Sequence, residues 1–139
     1  MLRLTRRSRR GRSSAASDVY KEQIARTTLE AMALQNADIL RAMESDLGKR
    51  MKPLRVDGGA AANNLLMQIQ ADVLGRRLIR PQVIETTVAG ACYLAGLGVG
   101  LWQSPAAVKN IWRAEREFSV AMRPSARRKR MASWNTALH

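Results

Sequence analysis

A double glycine followed four residues later by an asparagine is the part of this sequence best suited to hold a ligand. Asp57, Gly58 and Gly59 lie between a short β-like run, residues 53–56, and a helical run that starts near Asn63. Glycines let a backbone approach a flat base or a phosphate without an intervening Cβ. The start of a helix adds unpaired N–H groups and the positive end of the helix dipole. The spacing therefore fits a nucleotide site, although an ordinary tight turn has the same pattern.

The hydrophobic pattern predicts the elements that would position this turn. Apolar residues three and four apart predict a long first helix, with an N-cap at its start and a glycine C-cap at its end. Short apolar runs predict two strands, and the later part of the chain contains further helical patterns. The predicted elements are a helix from Tyr20 to about Ser45 between Asp18 and Gly48, strands at 53–56 and 77–80, and helices at 63–75, 86–101, from Ser104, and 125–138. This order predicts an α/β layer with few strands.

The composition limits which kinds of site this chain can build. Its 139 residues suit one domain, and a hydrophobic content of 46% suits a packed core. Cys92 is the one cysteine and His139 the one histidine, which excludes an internal disulfide, a cysteine zinc site and a histidine-based catalytic pair. Cys92 lies in a run of small apolar residues, so we expect a buried structural thiol.

The positive charge is concentrated in two short segments. Ten of the arginines and lysines that give the net charge of +13 lie within residues 3–12 and 127–130, and the rest of the chain carries about +3. No aromatic side chains alternate with these arginines, so we do not expect specific nucleic-acid binding. Residues 1–17 are low in complexity, and we predict a basic disordered leader there, followed by one domain over residues 18–139.

The sequence predicts no membrane segment. The longest apolar run, residues 88–102, is shorter than a membrane span requires and contains several glycines. It is expected to form a buried core helix whose glycines allow close packing. No secretory signal is recognised at the N-terminus, so we predict a cytoplasmic protein.

Several separate blocks of this sequence, in the same order, resemble the C-terminal domain of glycerol kinases in the FGGY carbohydrate-kinase family. The blocks together cover roughly residues 20 to 138. They are residues 24–35, 54–59, 62–68, 70–75, 80–81, 85–91 and 93–97. The resemblance implies part of an actin-like, ribonuclease H-like ATPase domain, rich in helices and with a few strands of its sheet. It implies ATP-dependent phosphoryl transfer to glycerol as the activity of the complete enzyme.

The resemblance also implies which residues meet the nucleotide. Gly59 corresponds to the family's second glycine, where the backbone lies against the adenosine. Asn63 corresponds to the asparagine that hydrogen-bonds the nucleotide, and its amide can both donate and accept. Gly58 is expected to shape the turn. Asp57 is expected to close it, so we assign Asp57 no role as a catalytic base.

The resemblance places the remaining chemistry outside this chain. The family's phosphate hairpin, metal carboxylate, catalytic aspartate and glycerol pocket belong to segments that precede Asp18 in complete enzymes. We therefore predict no catalytic residue and no metal ligand here, with ATP and Mg²⁺ as cofactors of the complete enzyme, ATP or ADP as the direct partner, and a homo-oligomer as a possible assembly. One alternative is a non-catalytic nucleotide-binding or interaction module. Another is a basic nucleic-acid-binding protein.

Overall fold

The computed structural model describes residues 8–51 and 53–138, with side chains from Ser17 onward. Five α-helices, one 3₁₀ turn and three strands lie within these residues. They are α1 (Ser8–Leu47), β1 (Leu54–Arg55), the 3₁₀ turn Gly59–Ala62, α2 (Asn64–Leu74), β2 (Leu78–Pro81), α3 (Thr86–Gly98), α4 (Pro105–Lys109), β3 (Ala114–Phe118) and α5 (Pro124–Leu138). No helix in this described part of the chain is long and apolar enough to cross a membrane.

The three strands form one small sheet in the order β1-β2-β3. β1 and β2 are parallel, with Leu54 opposite Leu78, and helix α2 makes the crossover between them. β3 pairs antiparallel with β2, so Phe118 lies opposite Leu78. Leu78 is fully buried at the centre of this sheet. Both predicted strands are confirmed, while β3 was missed by the sequence interpretation.

Helix α2 packs against helices α1 and α5 with one face and against the sheet with the other, and so connects the helices to the sheet. One face of α2, with Ile69 and Val73, meets Ala33 and Ala37 of α1 and Met131 of α5. Its other face packs on the sheet in a second cluster, formed by Ala61, Leu66, Met67, Ala71, Leu78 and Phe118. The strands and the turn before α2 are therefore fixed to the helical layer through this one helix.

The ends of α2 follow the sequence prediction. Asn63 is the N-cap, and its side-chain oxygen accepts a hydrogen bond of 3.0 Å from the backbone N–H of Leu66. Gly75 is the C-cap with φ of 65°, a left-handed conformation that favours glycine. These two caps fix where α2 begins, and so fix the position of the preceding turn.

The N-terminal boundary of the first helix was predicted wrongly. Helix α1 begins at Ser8 and not near Asp18, and its backbone is helical over residues 8–17, where composition predicted disorder. Arginine and alanine in this stretch are good helix formers, which explains the extension. Residues 1–7 lie outside the described residues, and the division into a leader (1–17) and a domain (18–139) stays a prediction.

Helix α3 is also unlike its prediction. Val88 and Leu94 are exposed, and an added Cβ at Gly90 or Gly98 would meet no atom within 4 Å. Among the glycines of α3, Gly96 alone has a close neighbour within the described residues, the ring of Trp102. Cys92 is exposed too. The predictions of a buried core helix, of close packing at its glycines and of a buried thiol were therefore wrong for this chain. An apolar pattern predicts that a helix is covered, but it does not show whether the covering residues belong to the same stretch of sequence.

Candidate nucleotide site

The turn between β1 and α2 is built around Gly58. Its φ of 79° and ψ of 169° form a conformation that side chains disfavour. The N–H of Gly58 donates to the carbonyl of Ile84 at 2.9 Å, and its own carbonyl accepts from the N–H of Ala61 at 3.0 Å. Gly58 is thus the residue that shapes the turn, as the sequence predicted.

Gly59 differs from Gly58 because neither its backbone nor its packing demands a glycine. It opens the 3₁₀ turn, is exposed, and has no left-handed φ. An ideal Cβ built on Gly59 would meet no described atom within 4 Å. The outer face of this turn is therefore open, and a flat group could lie directly on the backbone there.

Asn63 lies at the far end of the same turn, and one of the two polar atoms of its side-chain amide is hydrogen-bonded. Its Oδ1 caps α2 at Leu66, and its backbone N–H donates to the carbonyl of Ala60 at 3.2 Å. Its side-chain Nδ2 has no hydrogen-bond partner among the described residues, and the residue is exposed. The cap holds the side chain in place, which leaves the Nδ2 donor available to a ligand.

Asp57 has the turn-closing place that the sequence predicted. Its carboxylate accepts a hydrogen bond from the hydroxyl of Thr86, the first residue of α3. This bond ties the turn to the start of α3. Thr86 was not singled out by sequence reasoning, since 29 residues separate it from Asp57.

Arg80 supports the turn from beneath and was also missed as a structural residue. The guanidinium donates to the carbonyls of Ala61 at 2.7 Å and Ala62 at 3.2 Å, and to Glu115 of β3 at 2.7 Å. Its side chain is almost fully buried, and the ring of Phe118 lies 5.3 Å away. The one available sequence signal was a charged residue inside the apolar run of β2.

The contact with Arg80 sets the electrostatics beside the turn. The hydrogen bond from Arg80 lowers the pKa of Glu115 below its usual range, and the charges of Arg80 and Arg116 act in the same direction. Glu115 therefore stays ionised at neutral pH and holds Arg80 in place. The pair is structural, since Arg80 faces the carbonyls inside the turn.

The groups at the outer surface of the turn have a chemistry that suits a ligand. Its outward groups are the open backbone at Gly59, the Nδ2 donor of Asn63 and the N-terminus of α2, all of which suit an electron-rich ligand. In the described parts of the chain, no group of three or more acidic, histidine or cysteine side chains could hold a metal ion. Gly59 and Asn63 remain predicted binding residues, which the geometry brings to one turn.

Solved kinases share this arrangement of helices and strands. Plasmodium falciparum glycerol kinase, solved with ADP, matches with a TM-score of 0.71 and 34% identity over 81% of this chain and 23% of that one. Xylulose kinase from Rhodospirillum rubrum matches with a TM-score of 0.58 and 21% identity over 78% of this chain and 22% of that one. The fold is part of the actin-like ATPase fold of these kinases, as predicted.

Sequence similarity shows the family to which the chain belongs. Residues 3–99 match the C-terminal domain of the FGGY family of carbohydrate kinases, and the chain belongs to that family. The glycerol kinase of Bdellovibrio bacteriovorus is 55% identical over 118 residues, which are 85% of this chain and 24% of the relative. That of Dechloromonas aromatica is 53% identical over the same shares. The chain thus spans about a quarter of the length of its curated relatives.

Proposed function

We propose that this chain supplies the nucleotide side of an ATP-dependent glycerol kinase, which transfers a phosphoryl group from ATP to glycerol and forms glycerol 3-phosphate and ADP. The observation that carries the proposal is Gly59, an exposed glycine that neither conformation nor packing requires. The glycerol kinases that are about half identical to the chain, and the ADP in the Plasmodium structure, support the same reading.

The residues around the turn would bind and orient the nucleotide. The adenosine would lie on the open backbone at Gly59, where any side chain would separate the two. The Nδ2 of Asn63 would donate to an acceptor on the nucleotide, held in place by its cap on α2. Such preorganisation lowers the entropy cost of binding, since the donor does not need to be ordered by the ligand.

The other chemical roles would belong to the remainder of the kinase. Phosphoryl transfer needs a group that positions the acceptor hydroxyl and a divalent cation that neutralises phosphate charge. We assign the Mg²⁺ ligands, the base and the glycerol pocket to segments outside this chain, as the family resemblance implies for a chain that spans about a quarter of its curated relatives. The 139-residue chain alone is therefore expected to bind nucleotide without kinase activity.

The proposal is tested by titrating the chain with ATP and comparing Gly59→Arg with Gly98→Arg. Both glycines are exposed, and an added Cβ has open space at both. Only the arginine at position 59 would stand where the adenosine lies. We expect Gly59→Arg to weaken ATP binding by about tenfold or more, while Gly98→Arg leaves it unchanged. Equal affinities in the two variants would refute the site.

We further propose a cytoplasmic location, since the complete enzyme would use ATP. The homo-oligomer remains a prediction for the complete enzyme. The expected lack of specific nucleic-acid binding also remains a prediction, which a salt-dependent DNA titration can check.

A further inference from the structure

A cavity of about 420 Å³ lies between helices α1 and α5, at the C-terminal end of α2. Its lining contains one acidic residue, Glu44, and five arginines. The arginines are Arg41, Arg50, Arg76, Arg127 and Arg128. Two of them belong to the basic segment 127–130, to which the proposed function gives no role. The cavity is therefore a strongly positive concave surface.

Two of the five arginines are paired with carboxylates. Arg76 donates to Glu44 at 2.7 Å, and Arg41 forms an ion pair with Asp38 at 3.3 Å. The other three form no ion pair with the described residues, and they are Arg50, Arg127 and Arg128. Three guanidinium groups thus line one cavity without a carboxylate to neutralise them.

Arg127 is held in place by the end of α2. Its guanidinium lies so close to Gly75 that an added Cβ there would collide with it. Arg127 is half-buried, and its side chain donates no hydrogen bond within the described part of the chain. No buried side-chain nitrogen of the described residues lacks a partner, so the N–H groups of Arg127 are open to a ligand. A donor that is positioned before binding loses less entropy when a ligand arrives.

Glu44 shows the sign of the electrostatic potential in the cavity. The hydrogen bond from Arg76 lowers the pKa of the Glu44 carboxyl, the N–H of Met51 adds to the effect, and the charge of Arg50 acts in the same direction. A negative group is therefore stabilised at this place. Since Glu44 is occupied by Arg76, the three unpaired arginines remain available to a second anion.

We propose that this cavity binds a small phosphate compound, inorganic or esterified, through Arg50, Arg127 and Arg128. The oxygens of a phosphate accept from several guanidinium groups at once, and the planar fork of arginine matches them. The volume of about 420 Å³ lies within the usual range of small-molecule sites. Asn135 also lines the cavity, and its amide can donate to or accept from the rest of the ligand.

The phosphate cavity and the Gly59 turn lie at opposite ends of α2. The helix begins after its cap Asn63 and ends before Gly75, so its length separates the two by roughly 16 Å. The lining of the cavity includes no residue of the turn. The inference therefore goes beyond the proposed function and does not depend on it.

Titration of the 139-residue chain with pyrophosphate, at an ionic strength held constant with sodium chloride, tests the proposal. The double variant Arg50→Gln/Arg128→Gln removes two charges from the cavity. The matched control Lys49→Gln/Lys129→Gln removes two charges from the adjacent exposed residues, which do not line it. We expect the cavity variant to weaken binding by about tenfold or more. The control should change it by less than about twofold, because exposed charges outside the site are screened.

Three further ligands identify the source of the phosphate and separate this site from the nucleotide turn. Binding of pyrophosphate without glucose 6-phosphate would assign the cavity to inorganic phosphate, and binding of glucose 6-phosphate would assign it to phosphate esters. Vesicles that contain phosphatidic acid test a membrane surface. Adenosine carries no phosphate, so its affinity should be the same in both double variants.

Three results would overturn the phosphate site. One is that neither pyrophosphate nor glucose 6-phosphate binds saturably to the chain. Another is that both double variants lose affinity equally while circular dichroism shows them folded, since binding would then follow total charge. The third is that the vesicles bind and neither soluble compound does, which would identify a membrane surface as the partner.

Discussion

The guanidinium of Arg80 and the carbonyl of Ala61 are joined by a hydrogen bond of 2.7 Å that links the second strand to the turn before α2. Nineteen residues separate the two in sequence. The same side chain binds Glu115, so one buried cation connects β2, β3 and the glycine turn. The turn that would carry the nucleotide is thus held by a residue that does not face the ligand.

Arg80→Met is expected to destabilise the fold by about 2–4 kcal/mol, because it leaves the buried carbonyl of Ala61 without its donor and Glu115 without its cation. The matched control is Arg77→Met, which removes an exposed pair with Glu117 and should cost about 0.5 kcal/mol or less. Urea unfolding of both variants measures the difference. Equal effects would show that Arg80 does not anchor the turn.

Asn63 allows the helix cap to be separated from ligand binding. Asn63→Asp keeps an oxygen that can cap Leu66, so stability should stay within about 0.5 kcal/mol of the parent. It also replaces the Nδ2 donor by a negative charge, so ATP affinity should fall by about tenfold or more. Asn63→Ala removes both the capping oxygen and the Nδ2 donor. It should therefore weaken ATP binding and also lower the free energy of unfolding by about 1 kcal/mol.

Thermal melts and nucleotide titrations of the two Asn63 variants, made side by side, show whether capping and ligand binding depend on different atoms of the side chain. If Asn63→Asp binds ATP as well as the parent, the side-chain amide does not contact the nucleotide. The capping role would survive that result, because it depends only on the bond to Leu66.

The pH dependence of stability follows from Glu44. The hydrogen bond from Arg76, 2.7 Å long, lowers the pKa of Glu44, and the N–H of Met51 adds to the effect. A lowered folded-state pKa means that the pair stabilises the fold above the unfolded pKa of about 4.3. The stabilisation is lost as the pH falls through the folded-state value.

Unfolding free energies measured between neutral pH and strongly acidic pH check this sign. Glu44→Gln should be less stable than the parent at neutral pH and should lose less stability on acidification, since it has no carboxylate to protonate. Parallel curves for the two proteins would contradict the assignment of this pair.

The local sequence was sufficient for the elements around the site. Asn63 and Gly75 cap α2 close to its predicted ends, because capping depends on neighbours along the chain. The two predicted strands are apolar and bounded by turn residues. β3 was missed because residues 114–117 are exposed and all but Ala114 are charged, which leaves Phe118 as its one buried residue.

The long-range features could not be predicted from the sequence. The contacts of Arg80 with Ala61 and of Thr86 with Asp57 join segments far apart in the chain. The expected burial of α3 failed for a related reason, since an apolar pattern predicts a packed face without showing which segment covers it. Family resemblance, and not spacing, favoured a nucleotide turn over an ordinary one.

The most direct test of the central claim is to follow the backbone amide of Gly59 and the side-chain amide of Asn63 by NMR during a titration with ADP. We predict that these two signals shift together and saturate, while those of Gly98 do not move. The prediction would be contradicted if they stayed in place, or if ADP shifted mainly arginines such as Arg50 and Arg128, which line a separate cavity between α1 and α5.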